Sequence, residues 1–260
     1  MRQMTGKQSI SFAKAVYIEG SAAIVGEKEK DGPLGEYFSH TLSDPMCGQE
    51  SWEEGESELQ LATAKLAMQK ANVRPEQIRM IFAGDLLAQS IASSFGLVDL
   101  NCPLYGLFGA CSTMGEALSL GAMAVAGGYG DRVAGGDIEP LWNGGEGVRF
   151  PLAYGNQRPP SASWTVTGSG ACVLGKTKSR VKITGATTGK IIDYGLKDNQ
   201  NMGACMAPAA CDTIAQNLVD FNREPADYDR IVTGDLGVVG REILLELLKK
   251  KGIRYLGTAQ

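Results

Sequence analysis

A chain of 260 residues that is 43% hydrophobic and 21% charged can bury a sizeable core, so one α/β domain or two fused halves is the expectation. A formal net charge of −4, with no basic stripe beyond Lys249–Lys251, excludes nucleic acid as a partner. No stretch approaches the roughly 18 unbroken apolar residues of a spanning helix. The six cysteines include no C-x-x-C pair and read as reduced thiols, and no apolar leader opens the sequence. The expectation is a cytoplasmic chain, or one held at a membrane through partners.

In chain order, Lys28–Gly35 combines charge, Gly and Pro and reads as a surface loop. Ser51 with Glu54 forms a capping box. Leu59, Ala62, Leu66 and Val73 at near-helical spacing predict the helix that it opens, ended by Asn72 and Pro75. A short β-rich run, Met80–Ala83, leads into Gly84-Asp85-Leu86. The run Leu104–Ala110 precedes a helix predicted from Cys111 to about Ala126 and closed by Gly127-Gly128. Strand-like runs follow at Arg132–Ile138, Ala162–Thr167 and Ala171–Leu174. Their apolar character suits strands buried on both faces, as in a sheet covered by helices. Gly168-Ser169-Gly170 and the glycines of Gly127–Gly136 match neither a P-loop nor the full dinucleotide fingerprint and read as tight turns. Val181–Thr184 begins a second unit, in which Pro208 opens a helix with Ile214, Leu218 and Phe221 on one face. The last element is Arg241–Lys251, with Leu244, Leu247 and Leu248 inward and three lysines complementing its C-terminal dipole.

The chain is internally duplicated. Arg74–Leu86, RPEQIRMIFAGDL, returns without a gap as Glu224–Leu236, EPADYDRIVTGDL. Each copy is a helix tail, a Pro-opened turn, a short β-rich run (Ile231–Thr233 in the second) and Gly-Asp-Leu. The expected organisation is layered α/β, with residues 1–178 forming a complete half and residues 179–260 an incomplete second half. Ligands sit beyond strand ends in such sheets, which makes Asp85 and Asp235 candidates. Each reads as a cation ligand, an acceptor for a bound molecule, or a turn residue after Gly.

Cys111 is the sharpest single residue. It follows an apolar run and begins a helix, where unpaired N–H groups and the positive end of the dipole favour a thiolate. A small buried hydrophobe is the alternative reading. A thiol that transfers acyl groups needs a base, most often histidine. The one histidine, His40, falls in a loop region with nothing to place it near Cys111, so hydrolase triads and most zinc sites have no support.

The order CPLYGLFGACSTMGEALSLGAMAVAGGYGDRVAGGDIEP and then TVTGSGACVLG resembles the N-terminal half of the thiolase and ketoacyl-synthase III superfamily. There a cysteine caps a buried helix and a duplicated half builds five layers, α-β-α-β-α. Within it, EKDGPLG, AGDLL, FGACST, FPLAYGNQRP, TVTGSGA, MGACMAPAACDT and VTGDLGVVG resemble the stage V sporulation protein AD family of spore-forming bacteria. That resemblance implies a condensing-enzyme fold turned to non-catalytic binding of dipicolinic acid, pyridine-2,6-dicarboxylate, or its calcium chelate, in support of its uptake into the developing spore. It implies a pocket around Asp85, Leu86, Phe108, Cys111, Ser112 and Thr113, with no cofactor beyond calcium carried by the ligand and no protein metal site. It further implies partnership with other stage V sporulation membrane proteins at the spore inner membrane, and self-association. An Asp facing a dianion repels it unless calcium bridges them or the Asp is protonated, so Asp85 in the pocket favours the chelate over the free acid. The alternative is a cysteine-dependent acyltransferase or condensing enzyme with Cys111 as nucleophile. Relative to the family, the second half is expected to lack its counterpart of the Cys111 strand and helix.

Overall fold

In the computed structural model of the chain, residues 3–86, 89–139, 160–161, 166–198 and 201–254 are described. The strands are β1 (Met4–Thr5), β2 (Ser9–Val25), β3 (His40–Thr41), β4 (Ile81–Asp85), β5 (Leu104–Leu107), β6 (Arg132–Glu139), β7 (Gly168–Gly175) and β8 (Val181–Thr187). The helices are α1 (Glu27–Lys30), α2 (Trp52–Lys70), α3 (Ile91–Leu97), α4 (Thr113–Gly127), α5 (Met202–Phe221) and α6 (Gly237–Lys250). Contacts group the chain into two units: Phe12–Val148 with Thr165–Thr184, and Met1–Ser11 with Arg149–Trp164 and Gly185–Gln260.

The first of these units is built on a mixed sheet in the order β2-β7-β6-β4-β5, with β3 pairing β2. β5, β4 and β6 are parallel, whereas β7 runs antiparallel to both β6 and β2. Side chains alternate across the strands, and the two faces bury against different helices. Ile81, Ala83, Ala134, Ala171 and Val173 face α2 through Leu61, Ala67 and Met68. Phe82, Val133, Cys172 and Leu174 face α4 through Ala117, Ala122 and Val125. Both faces are therefore dry, which explains why these strands read as apolar runs.

Ser51 caps α2 with one half of the expected capping box, its hydroxyl accepting from the Glu54 N–H at 3.2 Å. Several boundaries differ from expectation. Cys111 lies in a 3-10 turn, Ala110–Ser112, and α4 starts two residues after Cys111, at Thr113, and is closed by its C-cap Gly128 with φ of 83°. Gly168-Ser169-Gly170 is the opening of β7, paired with Asp137, Ile138 and Glu139, and is no turn. The run Ala162–Thr167 and the stretch Phe150–Pro159 lie, wholly or almost so, outside the described residues. β2 and α3 went unpredicted because neither carries a clean period or a strong cap.

In the other unit, Pro208 lies inside α5. The helix opens six residues earlier at Met202, capped by Asn201, whose side chain accepts from the Ala204 N–H at 3.0 Å. The early turns are needed because Gly203 meets α6 there. A Cβ on Gly240 would lie 2.7 Å from the Cα, C and O of Gly203, so the two helices cross in backbone contact. Below the crossing, Ala207, Cys211, Leu236, Leu244 and Leu248 form a core. Asp220 near the end of α5 accepts from the Lys7 and Gln8 N–H groups, each at 2.9 Å, and from Ser9 Oγ at 2.8 Å.

The duplication is visible atom by atom at the Pro-opened turns. In the first, the Arg74 N–H donates to Gln77 Oε1 at 2.9 Å while the Gln77 N–H returns to Arg74 O at 3.0 Å. In the second, the Glu224 N–H donates to Asp227 Oδ2 at 2.8 Å and the Asp227 N–H returns to Glu224 O at 3.0 Å. Beyond the turns the copies part. Ile81–Asp85 is a strand hydrogen-bonded on both sides, whereas Ile231–Thr233, expected as a strand, is irregular with Val232 88% exposed. The second copy meets no neighbouring strand among the described residues, and an extended run without ladder partners keeps its backbone in water.

Candidate functional site

β4, β5 and β6 run parallel, so their C-terminal ends lie side by side, the usual place for a ligand in an open α/β sheet. Gly84 is fixed by sterics at this edge: a Cβ there would collide with Leu107 O of β5 and come within 2.8 Å of Thr113 Cγ2 of α4. The sequence Gly-Asp-Leu therefore begins with a residue whose lack of side chain lets β5 and α4 close on β4.

Asp85 is 1% exposed. Its Oδ1 accepts from the Ser90 N–H at 3.0 Å, and its Oδ2 accepts from the Ser93 N–H at 3.2 Å and Ser93 Oγ at 3.0 Å. Behind it, Gln60 of α2 donates through Nε2 to Gly84 O at 3.0 Å and to Ser93 Oγ at 3.2 Å. The carboxylate is thus committed to organising the start of α3. Leu86 is buried beside it. Asp235, its repeat partner, is exposed and accepts from the Gly237 N–H at 2.9 Å, as a turn residue does.

Beyond β5, Phe108 is 59% exposed and Gly109, Ala110 and Cys111 form the turn into α4. Ala110 has a φ of 47°, a left-handed conformation that costs a non-glycine residue about 1 kcal/mol or more. Gln89 and Ser90, at φ of 52° and 68°, lie in the same region just past β4. Backbone strain in non-glycine residues thus gathers at adjoining strand ends, a pattern associated with functional sites. The turn presents Cys111 and Ser112 as exposed side chains, while Thr113 is fully buried. Ser112 directs its hydroxyl back to Gly109 O at 2.6 Å, and Thr113 Oγ1 accepts from the Gly109 N–H at 3.2 Å. No side-chain hydrogen bond caps α4 among the described residues; the 3-10 turn before it takes the Thr113 N–H on Ala110 O, and the positive end of the 15-residue helix lies at this turn.

Of the six residues expected at the pocket, Phe108, Cys111 and Ser112 come together on the surface of one turn. Thr113, Asp85 and Leu86 are buried. Sequence reasoning missed Gln60, Ser90, Ser93 and Glu116. The last folds over the turn, since a Cβ on Gly109 would meet Glu116 Oε2 and Ser112 Oγ, each at 2.8 Å. Its place one helical turn after Ser112 was the available signal. His40 lies on β3 and pairs with Ile24 of β2. Five strand spacings separate β3 from β5, roughly 24 Å at the usual 4.8 Å or so between strands. Among the described residues, no group of three or more His, Cys, Asp and Glu is arranged to hold a metal ion, and no helix is long and apolar enough to cross a membrane.

A family model described as stage V sporulation protein AD matches residues 6–258. The chain is 40% identical over 250 residues to the stage V sporulation protein AD of Bacillus subtilis (strain 168), covering 96% of this chain and 74% of that protein. Among solved structures it is similar to cerulenin-bound OleA of Xanthomonas campestris, with a TM-score of 0.66 at 13% identity, covering 98% of this chain and 82% of the other. The priming β-ketosynthase of the R1128 polyketide pathway gives a TM-score of 0.61 at 15% identity, covering 94% and 80%. The 3-oxoacyl-(acyl carrier protein) synthase III of Xanthomonas oryzae gives 0.61 at 13%, covering 96% and 83%. At such identities these structures establish the fold alone, thiolase-like α/β.

Proposed function

The chain belongs to the stage V sporulation protein AD family, and on that premise we propose that it binds dipicolinic acid, free or as its calcium chelate, without transforming it. Such binding would support movement of the ligand into the developing spore. The observation that carries this reading is the N-terminal end of α4, entered through the turn that exposes Cys111 and Ser112 at the mouth of parallel strands. Helix N-terminal N–H groups bind carboxylates readily, and the exposed Phe108 ring offers an apolar wall to a flat aromatic diacid. In this reading Asp85, Leu86 and Thr113 shape the site from beneath, and calcium arrives as part of the ligand.

The test is calorimetric titration with dipicolinate, with and without calcium, on the parent chain, Cys111→Ala and Ser112→Ala. Saturable binding that weakens in the variants supports the reading, and no heat from a folded chain refutes it. A second reading, acyl transfer through Cys111, is favoured by the exposed thiol on its strained turn. The remote position of His40 weighs against it. Incubation with an acyl thioester and peptide mass spectrometry separates the two: a stable acyl adduct on Cys111 supports transfer.

Self-association belongs to the same proposal. Among the described residues β5 is the end strand of its sheet, and Tyr105, Phe108, Ile91, Phe95 and Val98 are exposed in and around it. Edge strands rarely remain bare beside large apolar side chains, and a second copy of this chain is the occupant we propose. Other stage V sporulation membrane proteins are the partners proposed to hold the pair at the spore inner membrane.

A further inference from the structure

We propose that Ser90 is a positioning residue, the middle of a strut that runs from Asp85 through Ser90 to the last carbonyl of β5 and fixes the turn carrying Cys111. The strut is made of two hydrogen bonds on one residue. The Ser90 N–H donates to Asp85 Oδ1 at 3.0 Å, and Ser90 Oγ donates to Leu107 O at 3.0 Å. Leu107 is the end of β5, and the next four residues are Phe108, Gly109, Ala110 and Cys111. The hydroxyl therefore grips the chain just before the strained turn begins.

The backbone of Ser90 makes the same point. Its φ of 68°, beside the 52° of Gln89, is uncommon for residues that are neither Gly nor Asn and persists only where surroundings determine it. Those surroundings are on hand. Ser90 O receives the Ser94 N–H at 3.0 Å and Ser94 Oγ at 2.6 Å, and Asp85 is itself held by Ser93. Gln60 ties the base of the strut to α2. Gly106 completes the fit: a Cβ there would come within 3.3 Å of Ser90 Oγ, so the glycine leaves room for the hydroxyl beside β5. A strand end, a loop and a helix start are thus linked through one serine to the neighbouring strand. The Cys111 turn inherits its position from that linkage.

This inference does not depend on the identity of the ligand. Its test is the alkylation rate of Cys111 by iodoacetamide, read by peptide mass spectrometry, with Cys205 in the same chain as internal reference because it too is exposed. Ser90→Ala removes the hydroxyl and keeps the strained backbone, whereas Ser90→Gly removes both. Both variants are expected to raise the Cys111 rate relative to Cys205 by about fivefold, the scale set by one lost hydrogen bond. Unchanged ratios overturn the proposal. A change in Ser90→Ala that Ser90→Gly abolishes overturns it too, because strain would then be the cause. Should either variant fail to fold, hydrogen exchange on the parent chain decides: residues 89–93 and 109–113 are expected to open as one unit, and independent opening overturns the strut.

Discussion

Alanine at Gly240 and alanine at Gly115 should move stability in opposite directions, although both glycines sit inside helices. In a helix interior, Gly to Ala ordinarily stabilises by up to about 1 kcal/mol through lower chain entropy and better propensity. Gly115 is free to show that gain because a Cβ there meets nothing within 4 Å. Gly240 is not. Its Cβ would press on three backbone atoms of Gly203 at 2.7 Å, which cannot rotate away as a side-chain tip does. Relief requires α5 and α6 to separate by several tenths of an ångström, loosening the Ala207, Leu244 and Leu248 core beneath. Overpacking of that kind costs about 1–3 kcal/mol, which set against the propensity gain leaves a net loss of about 1 kcal/mol at the middle of that range. Urea unfolding followed by circular dichroism measures both variants. A Gly240→Ala chain as stable as Gly115→Ala would refute the close crossing.

The remaining predictions concern charge, core and interface. Burial works to raise the Asp220 carboxyl, but donors from Lys7, Gln8, Ser9 and Gln216 outweigh it and hold the group well below its ordinary 3.8. A depressed carboxyl stabilises fully above the unfolded value and less as pH falls through the folded one. Asp220→Asn should therefore lower the urea midpoint at pH 7, with the gap to the parent narrowing below about pH 4; a gap constant with pH contradicts the assignment. Burial pushes the Cys172 thiol up to about 11, so iodoacetamide at pH 8 should label Cys111 and Cys205 in the folded chain and Cys172 only after unfolding. Leu174, fully buried against α4, should cost about 2–5 kcal/mol on truncation to alanine, read as a shifted urea midpoint. Tyr105→Arg on the β5 edge should shift light scattering from dimer mass to monomer mass, and an unchanged mass would place self-association elsewhere.

Much of the first unit was legible because its determinants are local. The Ser51 cap, the Leu59 and Leu66 spacing and the apolar runs of β6 and β7 each record a burial pattern in consecutive residues. β2 was not legible: it alternates poorly, since much of its length is only partly buried. Gly168-Ser169-Gly170 misled for a related reason, because glycines in a strand mark close packing as readily as turns. At the site, Cys111 and its neighbours were found from an apolar run ending at a helix start. The role of Asp85 was not, since the donors that occupy its carboxylate come from Ser90 and Ser93, several residues on, and no spacing rule joins them to Gln60 on another helix.

The two Pro-opened turns keep one hydrogen-bond pattern although one leads into a central strand and the other into irregular chain. Their shape is therefore encoded autonomously: proline fixes one dihedral, and a side chain three residues past the turn's first residue returns to that residue's N–H. Gln and Asp serve equally in that place. The bend thus forms the same way ahead of a paired strand and ahead of irregular chain, so the residues downstream of it carry no part of its shape.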